Sequence, residues 1–164
     1  RQLPFVTIDG ESTRDIDDAL HIERQGNGYR VVVAIANPVR LVPIGSTEDM
    51  QARLIAATAY IRDRAVRRML PPAISEHQGS LVVGQERAAL VFDIILNDTL
   101  EPVSTTIAAS PITVAHRLSH PDIAAIVGDA AHPLRIPMTL ASTRHPGARG
   151  SVTPTISISS ASLS

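Results

Sequence analysis

Residues 19–36 read ALHIERQGNGYRVVVAIA. Residues 19 to 24 and 29 to 36 are rich in Val, Ile, Leu and Tyr and flank Gln25-Gly26-Asn27-Gly28. That pattern predicts two strands joined by a tight turn, with Gly and Asn where positive φ is needed. The run Val31, Val32, Val33, Ala34, Ile35 has no polar alternation, so its strand is expected to be central and covered on both faces, with a helix layer over it.

Working outward, LPFVTI (residues 3 to 8) reads as a further strand feeding an acidic loop. Ala88 to Leu96 is a strongly apolar strand, Asn97-Asp98 supplies a turn, and residues 101 to 109 are expected to return as its partner. Ser46 followed by Asp49 looks like a capping box. It should open a helix through about Tyr60, with Met50, Leu54, Ala57 and Ile61 on one face to cover the sheet. Ser119 with Asp122 caps a second helix through Val127, and a weaker helical stretch is expected over residues 133 to 143. The predicted class is α+β, a mixed or antiparallel sheet with helices packed on it.

Composition sets the bounds. With 44% apolar residues and a net charge of −1 over 164 residues, the chain reads as one globular domain. Only Phe5, Tyr29, Tyr60 and Phe92 are aromatic, so the core must come from aliphatic side chains. Without cysteine there is neither a disulfide framework nor a thiolate zinc site. No apolar run is long enough to span a bilayer and no signal-peptide pattern is visible, so no membrane association is expected and a cytoplasmic setting is the default. All 15 basic residues are Arg, yet the charge balance is not that of a protein gripping nucleic acid along its whole surface. Residues 147 to 164, dominated by Ser and Thr, lack a helix period and the apolar area to pack. A frayed tail is expected there, after a domain over residues 1 to 146.

The chemistry lies in TIDGESTRDIDDAL, residues 7 to 20, which places Asp9, Asp15, Asp17 and Asp18 within ten positions of one another. Two carboxylates at close approach repel by about 4 kcal/mol at an effective dielectric of about 20, so a folded loop holding several of them needs a compensating cation. Carboxylate oxygens suit Mg²⁺, Mn²⁺ or Ca²⁺. In an extended segment Asp15 and Asp17 share a face while Asp18 points away, so a turn is required, and Gly10, Ser12 and Thr13 permit one. The spacing fits neither an EF-hand, a Walker A loop nor a nucleophile elbow. On spacing alone a solvated acidic loop, with carboxylates as turn formers, explains the segment equally well.

PFVTIDGESTRDIDDAL (residues 4 to 20) resembles the signature of the ribonuclease II and ribonuclease R (RNB) catalytic domain. The likeness continues through VVVAIANP (31 to 38), GSTEDMQAR (45 to 53), the Tyr60 region, MLPPAIS (69 to 75) and GSLVVGQERAALVFDI (79 to 94). It weakens in HRLSHPDI (116 to 123). The resemblance implies a magnesium-dependent, processive 3′ to 5′ exoribonuclease that releases nucleoside 5′-monophosphates from single-stranded RNA, with Mn²⁺ as an alternative ion. By matching positions it implies that Asp9, Asp15 and Asp18 are metal ligands and Asp17 the carboxylate most directly required for cleavage. Two-metal chemistry would follow, one ion activating water and the other stabilising the leaving 3′ oxygen. Tyr60 matches an aromatic that stacks on the terminal base; its alternative role is a helix-end residue with a buried ring and a wet hydroxyl.

The family domain is longer than this chain. No match is found to its later arginine segment and acidic residue, nor to the flanking oligonucleotide-binding barrels. Asn37 stands where the family usually has aspartate. Other domains or chains would have to supply the remainder, and a non-catalytic homologue acting as a metal- or RNA-binding module is the alternative reading. A third is a structural protein whose cation merely relieves carboxylate repulsion. Arg62, Arg64, Arg67 and Arg68 read as a solvated basic loop. His116 and His120 lack a third ligand and read as plain surface or core histidines.

Overall fold

The computed structural model describes residues 3–61 and 64–132. Contacts divide the chain into two units, residues 1–118 and 119–164. The first contains strands β1 (Phe5–Ile8), β2 (Asp18–Gln25), β3 (Gly28–Ala36), β4 (Ala59–Ile61), β5 (Arg64–Arg67), β6 (Glu86–Leu96) and β7 (Pro102–Leu118), with helix α1 (Thr47–Ile55) between β3 and β4. Five of these strands close into a barrel in the order β1-β2-β3-β6-β7, while β4 and β5 pair separately. Neighbours in the barrel are antiparallel except β1 and β7, which run parallel. The expected mixed sheet is therefore present, and closed on itself.

β3 is central, as the unbroken valine run predicts. It pairs with β2 from Gln25↔Gly28 to Asp18↔Ile35, and with β6 from Tyr29↔Leu96 to Ala36↔Ala89. Val32, Val33 and Ala34 are all buried, so both faces are covered at mid-strand. Phe5, Ile16, Ala19, Val32, Ala34, Leu81, Ala89, Ile112 and Val114 form one apolar cluster. Each fully buried Val or Leu there contributes about 1.5–3 kcal/mol. The turn between β2 and β3 has Gly26 at φ 59, while Asn27 keeps negative φ, the pattern of a type II′ hairpin.

α1 corrects one expectation. It ends at Ile55, where Ala56 adopts φ 63, and does not run on to Tyr60. Its stripe is not a sheet-covering face: Met50 is 54% and Leu54 85% exposed, and only Ala52 is buried. The helical spacing that joins Met50 and Leu54 to Ala57 and Ile61 is a coincidence, because Ala59–Ile61 turns back as β4 against β5. Arg67 Nη2 donates to the Ile55 carbonyl at 3.0 Å and satisfies an acceptor at the helix C-terminus. The cap at the other end is a shifted capping box. Ser46 Oγ accepts from the Asp49 amide at 3.2 Å, but Asp49 Oδ2 accepts from Gly45, one residue further out, at 2.8 Å.

β6 and β7 form the expected second hairpin, with β7 longer than predicted. Residues 102–111 pair with β6 alone and are exposed throughout; the parallel partnership with β1 begins only at Val114.

In the second unit, α2 (His120–Gly128) carries the expected capping box in full: Ser119 Oγ accepts from Asp122 N at 3.3 Å and Asp122 Oδ2 from Ser119 N at 2.7 Å. The helical stretch expected over residues 133 to 143, the tail from residue 147 and Arg62 lie outside the described residues. No helix among the described residues is long and apolar enough to cross a membrane.

Candidate active site

The acidic loop joins β1 to β2 and is held along its length by backbone hydrogen bonds. Asp9 N donates to the Leu118 carbonyl at 3.0 Å, extending the β1–β7 pairing by one residue. The chain then turns, with Thr13 N donating to Gly10 O at 3.1 Å. Arg117 Nη2 donates to both carbonyls that bound this turn, Gly10 at 2.7 Å and Thr13 at 2.8 Å. Ser80 Oγ donates to Arg14 O at 2.8 Å and accepts from Ile16 N at 3.1 Å, and Leu81 N donates to Ile16 O at 2.9 Å. Ala36 N closes the series on Asp17 O at 2.8 Å.

The side chains follow from this backbone. Ile16 points into the core, 3% exposed, and anchors the loop by burial. Asp15 and Asp17, its neighbours on either side, are turned the other way, the pairing expected from an extended segment. Asp18 opens β2 opposite Ile35.

The four carboxylates share one electrostatic environment. Partial loss of hydration raises the Asp9 pKa, Arg117 opposes the rise, and Asp17 and Asp15 add to it. Lost hydration also raises Asp17, with Asp15 contributing. Asp18 is pushed up to about 6, first by lost hydration and then by the charges of Asp17 and Asp9. Asp17 and Asp18 remain exposed as whole residues, so this is shielding of a carboxyl group and not burial of a side chain.

Whether these residues fit a divalent cation can be judged from their donor atoms. Asp9 Oδ2 is buried without a completed hydrogen bond, although the Thr7 hydroxyl lies near enough to favour its charged form. An orphaned carboxylate oxygen beside three more carboxylates is a hard-oxygen donor set in need of positive charge. The loop gathers these groups without closing them: among the described residues no three Asp, Glu or His side chains are grouped tightly enough to hold an ion. The donor chemistry fits, and the side chains would have to converge.

Tyr60 bears on that convergence. It lies on β4, 49% exposed as a residue, and its hydroxyl donates a hydrogen bond to Asp15 Oδ2. Lost hydration and this bond push the Tyr60 pKa up to about 12. The alternative expectation of a buried ring with a wet hydroxyl at a helix end does not hold: strand pairing places the ring outside and the hydroxyl on a carboxylate.

Arg67 and Arg68 are exposed and occupied structurally, Arg67 at the end of α1 and Arg68 on Glu76 at 2.7 Å. His116 and His120 are both exposed. A shallow hollow of about 240 Å³ lies at the Gln25 end of β2, away from Asp18. Its cation, Arg30, is already forked onto Asp93 at 2.9 and 2.6 Å and reaches Glu23 at 3.1 Å. Reading the sequence missed Arg117 and Ser80, which nothing local distinguishes from the other arginines and serines.

Comparison with known proteins bears on this loop. The RNB domain family matches residues 1–145. Exoribonuclease 2 of Aeromonas hydrophila is 39% identical over 121 residues, 73% of this chain but 18% of that protein. In fold, the chain is similar to Mycoplasma genitalium RNase R in complex with ribose-methylated single-stranded RNA, with a TM-score of 0.74 and 24% identity over 85% of this chain and 23% of that one. It is also similar to yeast Ssd1, a pseudonuclease, with a TM-score of 0.72 and 20% identity over 86% of this chain and 17% of that one. The chain thus spans about a fifth of the length of these relatives. A family match running from the first strand through the acidic loop and past β7 shows that this chain belongs to the RNB domain family.

Proposed function

We propose that this chain carries the cation-binding carboxylate part of an exoribonuclease site, acting on the 3′ end of single-stranded RNA to release nucleoside 5′-monophosphates. The observation that supports this most is a backbone-anchored loop presenting four carboxylates, of which Asp9, Asp17 and Asp18 have raised proton affinity and Asp9 also has an orphaned buried oxygen. Asp9, Asp15 and Asp18 would hold Mg²⁺, or Mn²⁺ in its place. Bound there, the ions would supply Lewis-acid charge for activating water and for the leaving 3′ oxygen. Asp17, exposed between Ile16 and Asp18, would be the carboxylate on which cleavage most depends. The half-exposed Tyr60 ring offers a stacking surface for the terminal base, an interaction worth about 1–3 kcal/mol. Segments outside this chain would complete the grip on RNA.

The test is digestion of a 5′-labelled unstructured RNA in Mg²⁺, with and without chelator. Stepwise shortening from the 3′ end, abolished by chelation and by Asp17→Asn, is expected. A second reading, a homologue that binds ions or RNA without cleaving, is favoured by the carboxylates not being closed into a cluster and by the Tyr60 bond on Asp15. Saturable Mg²⁺ heat and an RNA gel shift without shortening would favour that reading.

A further inference from the structure

We infer that Arg117 is a positioning residue for the acidic loop, holding the Gly10–Thr13 turn closed and so fixing the separation of Asp9 from Asp15; this rests on the cation-site reading only for its consequence on ion binding. The end of β7 offers the loop two successive anchors: the Leu118 carbonyl accepts from the Asp9 amide, and the Arg117 guanidinium donates to the carbonyls of Gly10 and Thr13. A single nitrogen, Nη2, makes both of the latter bonds, so one side chain fixes both ends of the turn. Asp9 immediately precedes that turn and Asp15 follows it by two residues, so opening the turn would separate the two carboxylates.

The competing role for a cation in this place is counter-charge. Arg117 does lower the Asp9 pKa, but among the described residues it forms no ion pair with a carboxylate, and its hydrogen bonds go to backbone. The two roles predict opposite effects. A counter-charge competes with a metal ion, so removing it would tighten ion binding, and lysine would replace it. A clamp that shapes the loop is lost in alanine, and also in lysine, whose shorter stem ends before the position that Nη2 occupies between the two carbonyls.

The experiment compares the intact chain with Arg117→Ala and Arg117→Lys, after circular dichroism and thermal unfolding have established that each variant is folded. Mn²⁺ titration is expected to show at least tenfold weaker binding in both variants. Amide exchange at Thr13, the donor of the turn's own hydrogen bond, should accelerate at least tenfold in both, while β3 amides such as Val33 stay unchanged. Unchanged or tighter Mn²⁺ binding in Arg117→Ala, or full retention in Arg117→Lys, would overturn the inference. Should the unsubstituted chain bind no Mn²⁺, the cation-site reading fails by itself, and Thr13 exchange then decides the Arg117 inference: acceleration upholds it and no change refutes it. If neither variant folds, Arg117→Gln, neutral and too short to reach the two carbonyls, takes their place on the same two measurements with the same expected outcome.

Discussion

Ser80 and Ile16 are tied by a hydrogen bond in which the Ile16 amide donates to the Ser80 hydroxyl at 3.1 Å, 64 residues apart in sequence. Ser80 is fully buried and its hydroxyl donates in turn to the Arg14 carbonyl at 2.8 Å, so one hydroxyl serves two backbone groups of the acidic loop. Ser80→Ala leaves the Ile16 amide unpaired beside the core, and an unsatisfied buried donor costs about 1–3 kcal/mol. Urea unfolding should show that loss. A cost below about 0.5 kcal/mol would mean that water or a rearranged loop takes over the bonds.

The raised carboxylate pKa values set the sign of a pH dependence. For a group whose folded pKa lies above its unfolded value, the folded state binds the proton more tightly, so stability grows as pH falls through the folded pKa. Asp18, shifted from 3.8 to about 6, places that window between about 6 and 4. Asp9 and Asp17 act in the same direction. Glu23, Asp49, Asp93 and Asp122, all lowered by partners, act oppositely: their contribution is lost only as pH falls through their lower folded values. Thermal unfolding in chelator should therefore show a midpoint rising from pH 7 to about pH 5 and falling below pH 4. Asp18→Asn should flatten the rise; a midpoint that falls steadily from pH 7 would contradict this.

Two glycines of the first hairpin separate two physical reasons for the same residue. At Gly26, with φ 59 and open space around it, a side chain meets only backbone strain of about 1–2 kcal/mol, which asparagine tolerates better than alanine. At Gly28 a Cβ would run into the Leu96 carbonyl on the neighbouring strand, which cannot move without breaking the β3–β6 ladder. Gly28→Ala should thus destabilise by more than Gly26→Ala in denaturant unfolding, and Gly26→Asn least of all. Equal costs at the two positions would remove the steric argument.

The β2–β3 hairpin, the β6–β7 hairpin and both helix caps were legible because each is written in neighbouring residues: a turn between apolar runs, or a serine three places before an aspartate. Barrel closure was not legible, because it depends on β1 meeting the far end of β7, as in Ile8↔Leu118. The same limit hid Arg117, whose contacts lie 107 and 104 residues away at Gly10 and Thr13. The overlong first helix has another cause: Met50, Leu54, Ala57 and Ile61 keep helical spacing, and nothing local announces that Ala56 will leave the helix. At the site, the loop and its four aspartates were visible as a pattern. That Tyr60 would spend its hydroxyl on Asp15 could not be seen, since β4 brings it there by pairing with β5.

That contact leads to a test on Asp15. A carboxylate oxygen accepting a hydrogen bond from a phenol is partly withdrawn from any cation, and Asp15 is one of the three residues proposed as ligands. Tyr60→Phe removes the donor while keeping the ring, so it should tighten Mn²⁺ binding by about threefold, equivalent to about 0.6 kcal/mol and within the range of one net hydrogen bond. The length of the shortest RNA product should not change, because stacking is preserved. Tyr60→Ala frees Asp15 equally but removes the stacking surface, so ion binding should match Phe while RNA binding weakens by about 1–3 kcal/mol. A linked measurement is the phenol itself. Its pKa of about 12 is raised in part by Asp15, so Asp15→Asn should bring the ultraviolet titration of Tyr60 down toward the ordinary value of 10.0. Weaker Mn²⁺ binding in Tyr60→Phe would reverse the interpretation, making the hydroxyl a support that holds Asp15 in a ligating position.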